Sequence, residues 1–168
     1  MRKILSLGVT VAIAMVCLAT PATAGPTRVP APSGAVDLPD FFCGFAIHAE
    51  FPKNNEYSLI YSDAGGTVTH TRTTGALAVT LTNSSNGHTH TFNISGPGDL
   101  VPNADGSTTL TATGNWIFFF APGQLGVGSP GAMVTFTGRT VLWTAANGFD
   151  QEIRSHTGTM SDVCAMLA

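Results

Sequence analysis

Alternation of apolar and polar positions is the strongest signal along this chain, and residues 107–121, STTLTATGNWIFFFA, carry it furthest. Leu110, Ala112, Trp116, Phe118 and Phe120 share one parity, while Ser107, Thr109, Thr111 and Thr113 share the other. A period of two in a run rich in threonine and aromatics predicts a long β-strand with one buried face. Ile117 and Phe119 turn the polar side apolar near its end. The following loop, 122–131, is therefore expected to fold back over them.

The same pattern recurs on both sides of this run. Strand-like alternation spans residues 43–51, 56–62, 67–73, 76–82, 88–95, 132–144 and 149–159, giving eight runs in all. Turn chemistry separates them: Pro52-Lys53-Asn54-Asn55, Asp63-Ala64-Gly65-Gly66, Thr74-Gly75, Asn83 to Gly87 and Ala145-Ala146-Asn147-Gly148. Residues 96–106, with two prolines and three glycines, read as a long loop. Helical periodicity is confined to the tail, 161–167. The fold class is all-β.

Short connections favour antiparallel neighbours in a meander. The cysteines then bear on closure. An export signal is expected over residues 1–24: Arg2 and Lys3 precede an apolar stretch, and Ala22-Thr23-Ala24 is a small-residue cleavage site. The apolar stretch is too short for a retained membrane span. Cleavage would remove Cys17 and leave Cys43 and Cys164, an isolated pair that in an oxidising compartment forms a disulfide. In an open eight-strand meander the first and last strands stand roughly 34 Å apart, whereas a disulfide needs Cα atoms within about 7 Å. The expectation is an eight-stranded antiparallel meander closed as a barrel, with a Greek-key β-sandwich as the alternative. Residues 25–39, with four prolines, read as a spacer ahead of a domain over 40–168.

Charge narrows the partners. Residues 25–168 hold five basic against ten acidic side chains with no basic stripe, which argues against nucleic acid. Three groups offer chemistry. His88 and His90, two apart in a strand, share a face and offer two nitrogens to a metal, with His70 or Glu50 as a third ligand. Closure of the barrel would set His48 and Glu50 opposite Asp150, Glu152, Arg154 and His156, an arrangement open to acid–base work. The barrel interior is the third: Leu110, Ala112, Gly114, Trp116 and Phe118 would line one wall, the small residues leaving room for an apolar ligand. No nucleophile elbow or phosphate loop is present, and no cofactor is implied.

Three short stretches carry a resemblance: Phe41-Phe42-Cys43-Gly44-Phe45, residues 103–109 (NADGSTT) and residues 162–168 (DVCAMLA). Together they resemble small exported proteins of high-GC Gram-positive bacteria that carry no assigned activity. The resemblance implies export and paired terminal cysteines, and brings no catalytic residues. The expected function is a secreted, non-enzymatic extracellular or cell-envelope binding protein. A carrier of a small apolar ligand in the barrel interior, and a histidine-based metal protein or barrel enzyme, are the alternatives.

Overall fold

A computed structural model of the protein describes residues 25–31 and 33–168. The expected export segment, 1–24, lies outside the described residues. The strands are β1 (Thr27–Pro30), β2 (Val36–Leu38), β3 (Ile47–Asn54), β4 (Tyr57–Ser62), β5 (Val68–Thr74), β6 (Leu77–Asn83), β7 (Thr89–Asn93), β8 (Gly98–Pro102), β9 (Thr108–Thr113), β10 (Trp116–Phe120), β11 (Ala132–Phe136), β12 (Arg139–Thr144), β13 (Gln151–His156) and β14 (Met160–Asp162). A short helix, α1 (Val163–Leu167), follows, its first turn capped by Asp162 accepting from the Ala165 amide.

Three antiparallel sheets result: seven strands in the order β1-β4-β5-β8-β9-β12-β13, four in the order β2-β3-β6-β7, and three in the order β10-β11-β14. None of them closes. The expected barrel is therefore incorrect: β3 pairs with β2 and β6, and among the described residues β13 pairs only with β12. Strand order rises monotonically in every sheet, so the layered, sandwich-like packing is reached without a Greek-key crossing.

The order has a simple cause. Each odd–even pair from β1/β2 to β13/β14 divides between two sheets. Seven such pairs lie side by side in chain sequence. The first four divide between the seven- and four-stranded sheets, and the last three between the seven- and three-stranded sheets. Orthogonal packings turn corners in this way, with strands that switch sheets.

Corners need residues that tolerate the bend. Thr113-Gly114, Thr137-Gly138 and Thr157-Gly158 mark the three passages into the three-stranded sheet. Gly114 and Gly138 lie at φ +87° and +88°, in the left-handed region glycine favours, and the Gly114 amide donates to the Gly138 carbonyl at 2.7 Å. A side chain on Gly138 would strike the Thr157 carbonyl oxygen. The run 107–121 is thus β9 and β10, separated by a corner and belonging to different sheets.

Two cores follow from this folding. Phe118, Phe120 and Phe136 of the three-stranded sheet pack on Ala112 and Leu142 of the seven-stranded sheet, with Trp116, Leu110 and Ile153 at the margin. On its other side, Met133 and Ile117 join Ile47, Ala49, Val79, Leu81 and Phe92 of the four-stranded sheet, closed at one end by Val163 and Leu167 of α1. The three-stranded sheet is a middle layer. Ile117 is apolar because a second core needs it, and Phe119 meets Phe42 edge-on at 5.9 Å. The four-stranded sheet, in place of the expected loop, covers Ile117, while Phe119 stays partly exposed beside the turn that carries Phe42.

Two further expectations change. Residues 25–39 supply β1 and β2, edge strands paired to β4 and β3, where proline is tolerated because no partner needs its missing N–H. Within residues 96–106, expected as loop, β8 pairs with β5 and β9. The cysteines are joined as expected, Cys43 to Cys164 with Cα atoms 5.1 Å apart. The corners, rather than barrel closure, bring the two ends of the sheet order together.

Candidate functional site

Where the four-stranded sheet and β10 part company, a cleft of about 300 Å³ remains. Phe51, Leu77, Val79 and Ile94 form one wall, and Trp116, Ile117 and Phe119 form the other. Because β10 is an edge strand, both of its faces reach the cleft, Trp116 from one and Ile117 with Phe119 from the other. Glu56 and Thr73 supply the polar part of the lining. They come together because Glu56 sits in the corner between β3 and β4, beside the end of β5.

Backbone shape sets the position of Trp116. The indole lies on Gly96 and Gly98: a Cβ on Gly96 would stand 2.8 Å from Nε1, and one on Gly98 would overlap the six-membered ring. Gly-Pro-Gly is therefore a floor for the ring. Within the described residues the Trp116 Nε1–H is buried with no hydrogen-bond partner, an arrangement that costs about 1–3 kcal/mol in a typical protein.

Glu56 gives the cleft its charge. Burial pushes its carboxyl above the usual glutamate value, and desolvation is the only cause, with no charged or hydrogen-bonding neighbour offsetting it. Its own amide is engaged, donating to Asn54 Oδ1 at 3.0 Å. A desolvated carboxylate at the edge of an apolar cleft favours a ligand that brings a hydrogen-bond donor or a positive charge.

No family model, curated protein or solved structure gives a match to this chain. Its chemistry must be argued from its own residues.

The residues singled out in the sequence are distributed as follows. Ala112 and Phe118 are buried in the core between the seven- and three-stranded sheets, with Leu110 packed against them. Gly114 forms a corner. With no barrel there is no barrel interior, and of that proposed wall only Trp116 lines the cleft. His88 and His90 are exposed: His88 Nδ1 lies 2.9 Å from the Ala168 main-chain oxygen, and His90 packs on Phe92 with centroids 4.4 Å apart. His70 stacks on Tyr61 in the seven-stranded sheet. Among the described residues no group of three His, Cys, Asp or Glu side chains is placed to hold a metal ion.

The acid–base arrangement that depended on closure is not formed, since β3 and β13 belong to different sheets. His48 instead takes Asp37 of β2 at 2.7 Å, with Glu50 at 3.6 Å. The hydrogen bond to Asp37 is the main reason its pKa is raised, with Glu50 adding to it. All three side chains face solvent, so this is a surface ion-pair ladder.

Sequence reasoning missed Glu56, Phe51, Leu77, Val79, Ile94 and Ile117 as a set. Nothing local marks them, because they converge only after the strands bend. The one available signal was Gly96-Pro97-Gly98 ahead of Trp116, two glycines that leave room for an indole.

Proposed function

We propose that the protein is an exported, non-enzymatic binding protein that takes a small apolar ligand in the cleft beside β10. Glu56 receives a donor group of that ligand, a primary amine in the simplest case. The carrying observation is the cleft itself: apolar walls from two sheets around one desolvated carboxyl. About 300 Å³ is at the small end of ligand sites and suits a ring or short alkyl chain with one polar end. Export is supported by the N-terminal sequence pattern and by the Cys43–Cys164 bridge.

Tryptophan fluorescence tests the reading. The chain has two tryptophans, Trp116 and Trp143, so Trp143→Phe leaves the cleft as the only reporter. Titration with arylalkyl and alkyl amines and with their isosteric alcohols should quench or shift Trp116, amines binding more tightly. Glu56→Gln should abolish that preference while sparing the alcohols. A panel that leaves Trp116 emission unchanged, or an amine preference that survives Glu56→Gln, overturns the proposal.

A further inference from the structure

The open edge of β10 is unlike the other strand edges of the fold. Those are short, polar or charged: β2 and β14 have three residues each, β1 ends in Pro30, β13 carries Glu152 and Arg154, and β7 reads Thr-His-Thr-Phe-Asn. Such features discourage a further strand from pairing. β10 reads Trp-Ile-Phe-Phe-Phe and has none of them, and among the described residues it pairs only with β11.

Register fixes which main-chain groups this edge presents. The Gly114 amide donates to the Gly138 carbonyl at 2.7 Å, and the same register continues to Trp116 opposite Phe136 and Phe118 opposite Val134. Bonded and non-bonded pairs alternate in an antiparallel ladder, so Trp116 and Phe118 direct their N–H and C=O groups at β11, and Ile117 and Phe119 direct theirs away from it. Before the corner that outer side is occupied, the Thr113 amide donating to the Pro97 carbonyl at 2.9 Å. After it no strand follows, because β7 belongs to the four-stranded sheet, and the cleft takes the vacant place. Its polar end is fixed as well. Thr73 pairs with Gly98, the glycine beneath the Trp116 ring, and Tyr57, next to Glu56, pairs with Thr74. Glu56 and Thr73 therefore stand at the Trp116 end of β10.

We infer that the amine received by Glu56 is the free N-terminus of an extended polypeptide, which adds to the open edge of β10 as a parallel strand and seats its first side chain in the cleft. This rests on the cleft being the binding site. Charge complementarity selects the terminus: its ammonium brings the positive charge that the apolar surroundings of Glu56 do not supply. The edge selects a peptide. Ile117 and Phe119 offer donors and acceptors on alternate residues about 7 Å apart, a repeat that another polypeptide strand reproduces. Volume selects what enters, since about 300 Å³ between apolar walls suits one large apolar side chain. With the amine beside Trp116, the peptide runs towards Phe119 in the same sense as β10, which makes the pair parallel.

Trp116 fluorescence in the Trp143→Phe protein tests the inference with two probes: 3-methylbutylamine, and the peptide amide Leu-Ala-Thr-Ala-Thr, which has the same side chain and amine plus a main chain. The peptide should bind at least about tenfold more tightly than the amine, and its N-acetylated form should lose at least that factor. Alternate residues of a strand face its neighbour, so N-methylation at one of the second and third residues should remove the advantage, and at the other should keep it. On the protein side, Phe119→Pro deletes an N–H that β11 does not use, and Phe119→Ala deletes only the ring. The two variants should bind the amine equally, while only Phe119→Ala keeps the peptide's advantage, with thermal midpoints checking that both fold. If the amine binds and the peptide binds no better, or if neither N-methylation matters, the inference falls and the cleft reading stands. If neither probe binds, both fall. A dimer of the free protein that Phe119→Pro dissociates would assign the edge to a second copy of the chain and overturn the inference too.

Discussion

Replacing Gly138 with alanine should destabilise the protein by about 3–4 kcal/mol, and the structure shows where that figure comes from. Holding alanine at φ +88° costs about 1–2 kcal/mol. The remainder comes from contact. A Cβ there meets the Thr157 carbonyl oxygen, a main-chain atom that cannot rotate away. Relief requires moving a chain held by the Thr157 amide to the Arg139 carbonyl at 2.8 Å and by the Thr137 amide to the Thr159 carbonyl at 2.9 Å. Loosening both costs about 2 kcal/mol. Gly148→Ala is the internal control: its φ is +71° but nothing lies within 4 Å of the added carbon, so only the conformational cost of about 1 kcal/mol applies. Urea unfolding of the oxidised proteins gives both values, with the m-value expected to stay constant. If the two variants fall within 1 kcal/mol of each other, the corner is not close-packed as described.

Three further outcomes follow from named contacts. Cys43→Ala with Cys164→Ala opens a link across 121 positions and should cost at most about 5 kcal/mol, read from urea midpoints against the oxidised protein. Asp37→Asn should lower the His48 pKa, seen by NMR titration of the ring protons. Because the folded-state value is raised, stability from this pair is present below the unfolded histidine value and is lost as pH rises through the folded one. Glu56 is also raised but is an acid, so the native state binds its proton more tightly and stability falls as pH rises from the unfolded carboxyl value through the folded one. Glu56→Gln should therefore gain stability relative to wild type at neutral pH and lose that gain in acid, measured by thermal unfolding at a series of pH values.

Much of the strand content was legible in the sequence, yet the architecture was not, and residues 107–121 show why. A strand that folds back over its own inner face keeps that face inside on both sides of the bend. Ala112 before the corner and Phe118 after it therefore share a parity and one core. Alternation cannot report such a bend. Thr113-Gly114-Asn115 could, and the same dipeptide recurs as Thr137-Gly138 and Thr157-Gly158. Turn chemistry also repeats: Asp63 to Thr67 and Asn103 to Ser107 close with equivalent pairs of main-chain hydrogen bonds and a left-handed glycine, Gly66 or Gly106. That repeat placed β8 and β9 as the counterpart of β4 and β5, and the prolines around residue 100 concealed it. The cleft was hidden for a different reason. Its lining comes from β3, β5, β6 and β10, which meet only through the corners, and single-strand patterning carries no information about such meetings.

The Cys43–Cys164 bond has a mechanical consequence. Any pull applied between a point before Cys43 and a point after Cys164 passes through one covalent bond and bypasses everything between them. The four-stranded sheet from β3 to β7, the cleft and β10 all lie inside the bypassed span. In the oxidised protein, tension on its two ends can peel away only β1, β2 and the turn at 40–42 before the bridge and the end of α1 after it, while the ligand site bears no load. Reduction would transfer that load to the sheets, so force spectroscopy with and without a thiol should show an unfolding length that grows by the 121 positions the bridge encloses.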